Sequence, residues 1–348
     1  MLWSGHHDHR LYIERLLIAA AIGLALLFIW NIRDVLMLVF GAVVVAVLLR
    51  AIADPIAHVL PVGDRGAVAL TVLLVALAAG FFAWLLGGQL RGEFAGLWRS
   101  LPATLAALQE RLTALPASDR ILSAMRDADP DANVVARVGN LLLTLGGALA
   151  DFILILFGAI FIAAQPGLYK TGLLKLVPRA GRALAGDALD DSGRALKRWL
   201  LGQLVSMFII GVLTWAGLRF IGLPAALALG VIAGAAEIVP YVGPIAAAIP
   251  GLLLASLQGP EAMLWTLFVY VAVQQVESIV IVPLIQRRSV SLPPALTIFG
   301  VVAAGLLFGF LGLIFAAPLL VVGFVMVKKL YVRKVLDTST PIPGAPSQ

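Results

Sequence analysis

Cysteine is absent from the 348 residues of this sequence, and only 13% of the residues are charged. The first absence excludes a disulfide scaffold and a metal site built on thiolates. The second excludes an ordinary soluble surface, because about a quarter of the residues in a soluble globular protein are charged. Since 61% of the residues are hydrophobic, we expect lipid to cover most of the outside of this chain.

Histidine is scarce in this sequence, and a phosphate-binding loop is absent. Three of the four histidines lie in the N-terminal run His6-His7-Asp8-His9. Such a run resembles a metal-binding tract, but it is usually inert in a terminal tail, so we predict no metal site and no cofactor. The sequence has no G-x-x-x-x-G-K-S/T loop, which disfavours ATP as the energy source.

The net charge of +6 raises nucleic acid as a class of partner. The basic residues, however, lie in short segments between apolar runs, which is the pattern of cytoplasmic loops in membrane proteins. We therefore predict a lipid bilayer as the surroundings and no nucleic-acid partner.

Five apolar runs approach the roughly 20 residues that a membrane-spanning helix needs. They cover residues 16–32, 35–49, 67–90, 141–164 and 199–218. Beyond them, the apolar stretches are broken by Gly and Pro. We predict an all-α polytopic integral membrane protein with about eight membrane segments, two of the C-terminal ones being broken or re-entrant helical hairpins.

The runs divide the chain into six predicted parts. These are N-terminal transmembrane helices (1–90), an extracytoplasmic amphipathic helical segment (91–137), a fourth transmembrane helix (138–169), a basic connector (170–198), a C-terminal transport region (199–335) and a disordered tail (336–348).

The distribution of charge predicts the orientation. Residues 170–198 carry seven basic and three acidic side chains, whereas residues 91–137 carry six of each. The positive-inside rule places the more basic segment in the cytoplasm. With Lys328 and Lys329 near the C-terminus, the rule puts the 170–198 connector and both termini inside, and residues 91–137 outside.

Two C-terminal stretches resemble each other. The string Leu-Pro-Ala-Ala-Leu begins at Leu223 and Leu-Pro-Pro-Ala-Leu begins at Leu292. Both strings are followed by helix breakers, which are Pro240, Gly243 and Pro244 in the first stretch and Gly305, Gly309, Gly312 and Pro318 in the second. Paired broken segments point to a transporter's substrate site, because broken backbone in lipid must be sheltered by protein or line a watery cavity. Re-entrant hairpins and kinked spans both stay open.

Two carboxylates lie in otherwise uncharged apolar runs, and intramembrane ionisable residues are functional by default. Glu237 precedes the first break by about one turn. We expect it to reach a cavity near the middle of the membrane, where it takes up a proton or balances a cation. Glu277 and Gln274 share one helix face, which we expect to lie opposite the break. Location in an interfacial loop is the alternative for both carboxylates, helix–helix hydrogen bonding is the alternative for Gln203, and Asp151 stays undecided.

Several of these residues belong to strings that resemble the autoinducer-2 exporter (AI-2E) family, also called the PerM family. The strings are Glu-Ile-Val-Pro-Tyr-Val-Gly-Pro at 237–244, Gln-Gln-Val-Glu at 274–277 with Pro283, Gly309-x-x-Gly312, and Ala-Ala-Pro ending at Pro318. The resemblance covers most of the chain. This sequence departs from the family at Leu284 and at Pro293-Pro294, where members often have Lys and His-Pro.

The resemblance implies a transporter of the bacterial inner membrane, a homo-oligomer with pentameric relatives. It implies export of a small polar solute, a furanone-derived signal such as autoinducer-2, with Na⁺(Li⁺)/H⁺ antiport as the alternative. Small residues four apart, as at Gly305 and Gly309, also favour helix association in lipid. An intramembrane enzyme would need paired nucleophile and base groups that the spans lack, so we predict no catalytic residue. A membrane scaffold that docks partners on residues 91–137 is the alternative from another class.

The candidate residues form two sets. The predicted solute, cation or proton pathway comprises Glu237, Pro240, Tyr241, Gly243, Pro244, Gln274, Gln275 and Glu277. The predicted hinges and breaks are Pro283, Gly309, Gly312 and Pro318.

Overall fold

The computed structural model describes residues 16–113 apart from 19, 21, 25, 26 and 29, and then residues 134–286, 292–334 and 336. These residues are almost entirely helical and include no strand, so the predicted all-α class is confirmed. The histidine run at 6–9, the part of the amphipathic segment at 114–133 and the tail from residue 337 lie outside the described residues.

The helices are labelled here in chain order. They are α1 (Arg33–Val59), α2 (Asp64–Thr113), α3 (Val134–Ala164), α4 (Pro166–Lys175), α5 (Arg182–Phe220), α6 (Ala226–Ala236), α7 (Val242–Gln258), α8 (Pro260–Val276), α9 (Val282–Gln286) and α10 (Pro294–Met326). A π-helical turn joins α8 to α9, and another extends α10. Within the described residues, six helical stretches are long and apolar enough to cross a membrane, while α6 and α7 are shorter.

The predicted part boundaries after residues 90, 137, 169 and 198 all fall inside continuous helices. Helix α2 runs for 50 residues across the boundary at residue 90. Helix α5 runs for 39 residues and begins inside the basic connector. A change from apolar to charged side chains moves a helix from lipid into water, but it does not change the backbone hydrogen bonds that form the helix. No proline interrupts α2 or α5 at these junctions. The membrane boundary and the helix boundary are therefore different places.

The first broken stretch folds back on itself. We call α6, the turn at residues 237–241 and α7 hairpin 1. Ala226 and Leu229, near the start of α6, pack in the same buried cluster as Leu254 and Ala255, near the end of α7. Such packing requires antiparallel arms, so this stretch is a hairpin and not a kinked span.

The second broken stretch also reverses its direction. Gly309 has a φ of 64° in the middle of α10. A β-carbon on Gly300 would lie 2.6 Å from the side chain of Leu320, although these two residues would be about 30 Å apart in a straight helix. We call the two arms, residues 294–308 and 310–326, hairpin 2. Gly305 packs against Leu313 of the other arm, and Gly309 supplies the positive φ of the turn, so both glycines have a role within this hairpin.

Ion pairs define one end of the helix bundle. Lys197 of α5 pairs with Asp54 of α1 at 3.0 Å, and Lys329, beyond α10, pairs with Asp191 of α5. We call this the basic end. It brings together the 170–198 connector and the segment that follows hairpin 2. The opposite end holds the buried Leu218 at the end of α5.

Glycines allow α5 and α6 to pack backbone against backbone. A β-carbon on Gly234 would lie 2.6 Å from the carbonyl oxygen of Met207, and one on Gly230 would lie 2.8 Å from that of Gly211. Small residues are the usual means of close helix approach in lipid. These contacts hold α6, the first arm of hairpin 1, against α5.

Candidate functional site

A polar cavity of about 220 Å³ lies between hairpin 1, hairpin 2, α5 and the α8–α9 region. Its polar lining side chains are Gln203, Ser206, Tyr241, Gln274, Ser278 and Thr297, and its remaining wall is Trp199, Pro240, Val282, Ile285, Leu292 and Ala317. Among the described residues, no charged side chain lines it. The cavity therefore offers amide and hydroxyl groups, which both donate and accept hydrogen bonds, on an apolar frame.

The cavity lies toward the basic end of the bundle. Trp199 begins the apolar part of α5, and Gln203 and Ser206 follow within about 10 Å along the helix axis. The break in hairpin 1 lies beside Gln203, about one turn into the apolar part of α5 from the basic end. The reason is that hairpin 1 starts beside Leu218 and runs along α5 as far as Gln203.

The tip of hairpin 1 forms one wall of the cavity through Pro240 and Tyr241. The side-chain amide of Gln203 donates a hydrogen bond to the backbone carbonyl of Glu237 at 2.6 Å, which satisfies a backbone group at the helix break. Tyr241 has a φ of 66°, a conformation that strains a bulky residue by about 1–3 kcal/mol. Such strain occurs most often at functional sites.

Gly243 is required for close packing at the turn of hairpin 1 and not for a positive φ. It lies in the first turn of α7, and Tyr241 takes the positive φ instead. A β-carbon on Gly243 would lie 2.5 Å from the carbonyl carbon of Ala236 and closer still to its oxygen. The residue therefore permits a close approach between the two arms of hairpin 1.

Glu237 and Glu277 form a buried carboxyl pair beside the cavity. Their residues are 2% and 8% exposed, and their side chains are close enough to interact electrostatically. The amide of Gln274 donates to Oε2 of Glu277 at 2.7 Å, which places Gln274 and Glu277 together as predicted. The Oε2 atom of Glu237 is buried and has no hydrogen-bond partner among the described residues.

This pair can hold a positive charge. Two adjacent carboxylates cannot both be ionised without compensation, and an uncompensated charge is expensive in apolar surroundings. Across the described ranges, neither carboxylate forms an ion pair with Lys or Arg. One shared proton, or one bound monovalent cation, satisfies both groups.

A π-helical turn at Glu277–Ile281 follows the polar face of α8. In it the amide of Val282 donates to the carbonyl of Glu277, one residue further back than in an α-helix. Pro283, predicted as a break, follows this turn within the short α9 and is exposed. The chain is widened there without being interrupted, and such single π turns are frequent at functional sites.

Other predicted site residues lie away from the polar cavity. Pro244 lines a separate apolar cavity of about 310 Å³ between α7 and α8, and Gln274 borders both cavities. Gln275 is exposed, and its side chain accepts a hydrogen bond from Ser278 at 3.4 Å. Gly309 and Gly312 form the tip of hairpin 2.

The remaining two candidates also lie outside the lining. Pro318 is buried in the second arm of hairpin 2, next to the cavity-lining Ala317. Asp151 is partly exposed on α3.

Four polar or aromatic lining residues were not predicted from the sequence. Trp199, Ser206, Ser278 and Thr297 come from α5, the π turn and hairpin 2. A single Ser or Thr in an apolar run is ordinary in a membrane helix, since it can bond to its own backbone, as Thr297 does to Pro293. Only the tertiary packing shows that these side chains share a cavity. No group of three or more His, Asp or Glu that could hold a metal ion occurs in the part of the chain that the structure describes.

Comparison of this sequence with known proteins shows similarity to one family of transporters. The family model described as "AI-2E family transporter" matches residues 16–331. This match includes both hairpins, the carboxyl pair and every residue that lines the polar cavity.

Individual relatives are more distant. YrrI of Bacillus subtilis is 32% identical over 151 residues, which are 43% of each chain. PerM of Escherichia coli K12 is 27% identical over 239 residues, covering 64% of this chain and 67% of that protein. The AI-2 transport protein TqsA of the same organism is 25% identical over 199 residues, 56% of each chain. The aligned region thus spans less than half of YrrI.

Proposed function

Because the chain belongs to the AI-2E transporter family, we propose that it is a secondary transporter that moves a small, uncharged, hydroxylated solute through the polar cavity. The observation that carries this proposal is the set of amide and hydroxyl side chains among the cavity lining, beside a buried carboxyl pair. Such groups suit solute hydroxyls. The volume of about 220 Å³ is below the 300–1,000 Å³ of typical ligand pockets, so the solute is small. Autoinducer-2 belongs to this class and is our first candidate, since the relative TqsA is named for its transport.

The position of the cavity favours loading from the cytoplasm. The cavity lies toward the basic end, which the positive-inside rule assigns to the cytoplasm. Toward the opposite end, the backbone contacts of Gly230 and Gly234 leave no space between α5 and α6. We propose that this conformation is open to the inside, that the protein lies in the bacterial inner membrane with both termini in the cytoplasm, and that transport is export.

The carboxyl pair supplies the proposed coupling. A proton shared by Glu237 and Glu277 is released when a cation or a rearrangement of hairpin 1 separates the two groups. The unpartnered Oε2 of Glu237 supports a second candidate function, Na⁺(Li⁺)/H⁺ antiport, in which a monovalent cation replaces the proton at the same pair.

Reconstituted liposomes test this proposal. We expect the purified protein to exchange a radiolabelled hydroxylated solute across the membrane, and a proton gradient to drive net accumulation that collapses on addition of a protonophore. The panel comprises autoinducer-2, small sugars and polyols, Na⁺ and Li⁺, with protein-free liposomes as the control. Cation-driven proton movement without solute exchange would favour the antiport. No flux of any kind would favour the scaffold alternative and contradict transport.

The oligomeric state is a further proposal. We propose a homo-oligomer, with the pentamer expected from the family resemblance. Exposed apolar side chains on α8, such as Leu264 and Phe268, are compatible with contact to lipid or to another copy. Native mass spectrometry in mild detergent and in nanodiscs measures the number of copies, and a monomer in both would contradict the proposal.

Topology gives a separate prediction. A cysteine at Leu176, which is 81% exposed near the basic end, should react with a membrane-impermeant maleimide only after the inner face is opened. A cysteine at Arg91, at the opposite end of the apolar part of α2, should react in intact spheroplasts. The native chain has no cysteine, so it serves as the unlabelled control. The reverse labelling pattern would contradict the proposed orientation.

A further inference from the structure

The start of hairpin 1 depends on a side chain from a distant helix. Helix α6 begins at Ala226 after Ala225, which has a φ of 58°, and its own N-cap residue supplies no side-chain hydrogen bond. The first amides of a helix lack intrahelical partners and are usually satisfied by a capping side chain. Here the amide of Ala228 donates to Oε2 of Glu93, on α2, at 2.9 Å.

Two neighbours on α2 fix the position of this carboxylate. Gln89, one turn earlier, donates from its side-chain amide to Oε1 of Glu93 at 3.0 Å. Leu97, one turn later, is 6% exposed and packs in the buried cluster that contains Leu218 and Leu223. The carboxylate is therefore held at the N-terminus of α6, where hairpin 1 starts. A negative charge at this end also interacts favourably with the dipole of α6.

One short helix, α6, joins the start of hairpin 1 at Ala226 to the tip at residues 237–241. Helix α6 has 11 residues and is about 16 Å long. Its C-cap residue is Glu237, the carboxyl group of the buried pair. A small tilt of α6 about its N-terminus therefore moves both Glu237 and the cavity wall at Tyr241.

We propose that Glu93 is a positioning residue that fixes the angle of hairpin 1 and, through it, the geometry of the carboxyl pair and the polar cavity. The part of α2 beyond the apolar span then acts as a brace on the transport region rather than as a docking surface. The effect on transport rests on the proposed function, whereas the effect on the position of the hairpin tip does not.

The test measures how accessible the tip of hairpin 1 is to a reagent in water. In the cysteine-free chain, a cysteine at Val242, which is 44% exposed at the start of α7, reports access to the tip through its rate of reaction with a small water-soluble maleimide. We expect Glu93→Ala to change this rate about fivefold, the factor that corresponds to the loss of a typical helix cap. Glu93→Gln retains an acceptor for Ala228 and should restore most of the wild-type rate.

Transport kinetics and a matched control complete the experiment. Glu93→Ala should raise KM for the solute several-fold and lower kcat as well, because the angle of hairpin 1 sets the geometry of both the polar cavity and the carboxyl pair. Glu261→Ala removes an exposed carboxylate from the first turn of α8 and should leave both the labelling rate and KM unchanged.

The outcomes separate the two proposals. An unchanged labelling rate in Glu93→Ala would overturn the positioning role, whatever transport does. A changed rate with no measurable transport in any variant, wild type included, would support the brace and contradict the proposed function. Should Glu93→Ala fail to assemble, Glu93→Asp decides by the same labelling. It keeps the charge but withdraws the carboxylate from Ala228, so a wild-type rate in this variant would overturn the proposal.

Discussion

Replacing Glu237 with glutamine should reduce proton-driven accumulation of solute to the level of protein-free liposomes. The substitution keeps the size of the side chain and removes only its ability to exchange a proton. Glu277 would then face a neutral amide, so the two groups could no longer share one exchangeable proton. Because the backbone carbonyl of residue 237, which Gln203 binds at 2.6 Å, is unaffected, hairpin 1 should fold as in the wild type.

Two measurements distinguish loss of coupling from loss of fold. Thermal unfolding and the oligomeric state of Glu237→Gln should match the wild type, while a pH-sensitive dye inside the liposomes should report no solute-dependent proton flux. Glu277→Gln should give the same loss, since both carboxyl groups belong to one site. Glu261→Gln, at an exposed carboxylate, serves as the matched control. Wild-type transport by Glu237→Gln with the same pH dependence would show that this carboxyl group is structural and that the site is misplaced.

Replacing Gly243 with valine should abolish transport by a different route, through the loss of hairpin 1. A β-carbon at this position would lie 2.5 Å from the carbonyl carbon of Ala236, an approach that real β-carbons do not make. The obstacle is backbone, so it cannot move aside as a flexible side chain would. Overpacking of this kind destabilises a fold by about 1–3 kcal/mol or more, and we expect the melting temperature of the purified protein to fall.

The second hairpin provides a comparison for this result. A β-carbon on Gly312 would lie 2.7 Å from the carbonyl carbon of Ala304, so Gly312→Ala should be about as damaging as Gly243→Ala. A β-carbon on Gly323, also on α10, would meet no other atom within 4 Å. Gly323→Ala should therefore leave the melting temperature unchanged or slightly higher, because alanine favours a helix. Equal stability of Gly243→Ala and Gly323→Ala would contradict the close approach.

The strings that resemble the AI-2E family combine two kinds of residue. Glu237, Tyr241 and Gln274 belong to the cavity or the carboxyl pair, whereas Gly243 and Gly312 allow the hairpins to turn tightly. A residue type alone does not distinguish these roles. A glycine followed by a proline, as in Gly243-Pro244, indicates a backbone constraint, but only the distance to Ala236 shows that the constraint is the approach of two arms.

The sequence by itself determined the class of this protein and two of the places where its helices break, near Pro240 and at Gly309. Too few charges to cover a soluble surface, and apolar runs near 20 residues long, permit only a bilayer as the solvent. Prolines and glycines interrupt helices for local reasons, the missing amide of Pro240 and the φ of 64° at Gly309, so these two breaks were predictable from residue type, whereas Pro283 and Pro318 lie within helices. The proximity of Gln274 to Glu277 was predictable too, because helical spacing is local.

Only the tertiary structure decided which groups meet. Glu237 and Glu277 belong to different helices, and no local rule brings their carboxyl groups together. The level of the cavity depended on how far hairpin 1 extends along α5, which glycine contacts such as Gly234 with Met207 determine. The bond from Ala228 to Glu93 joins helices far apart in the chain. Periodicity in the sequence relates residues within one or two helical turns. These contacts join residues of different helices, so the site forms only when whole helices pack together.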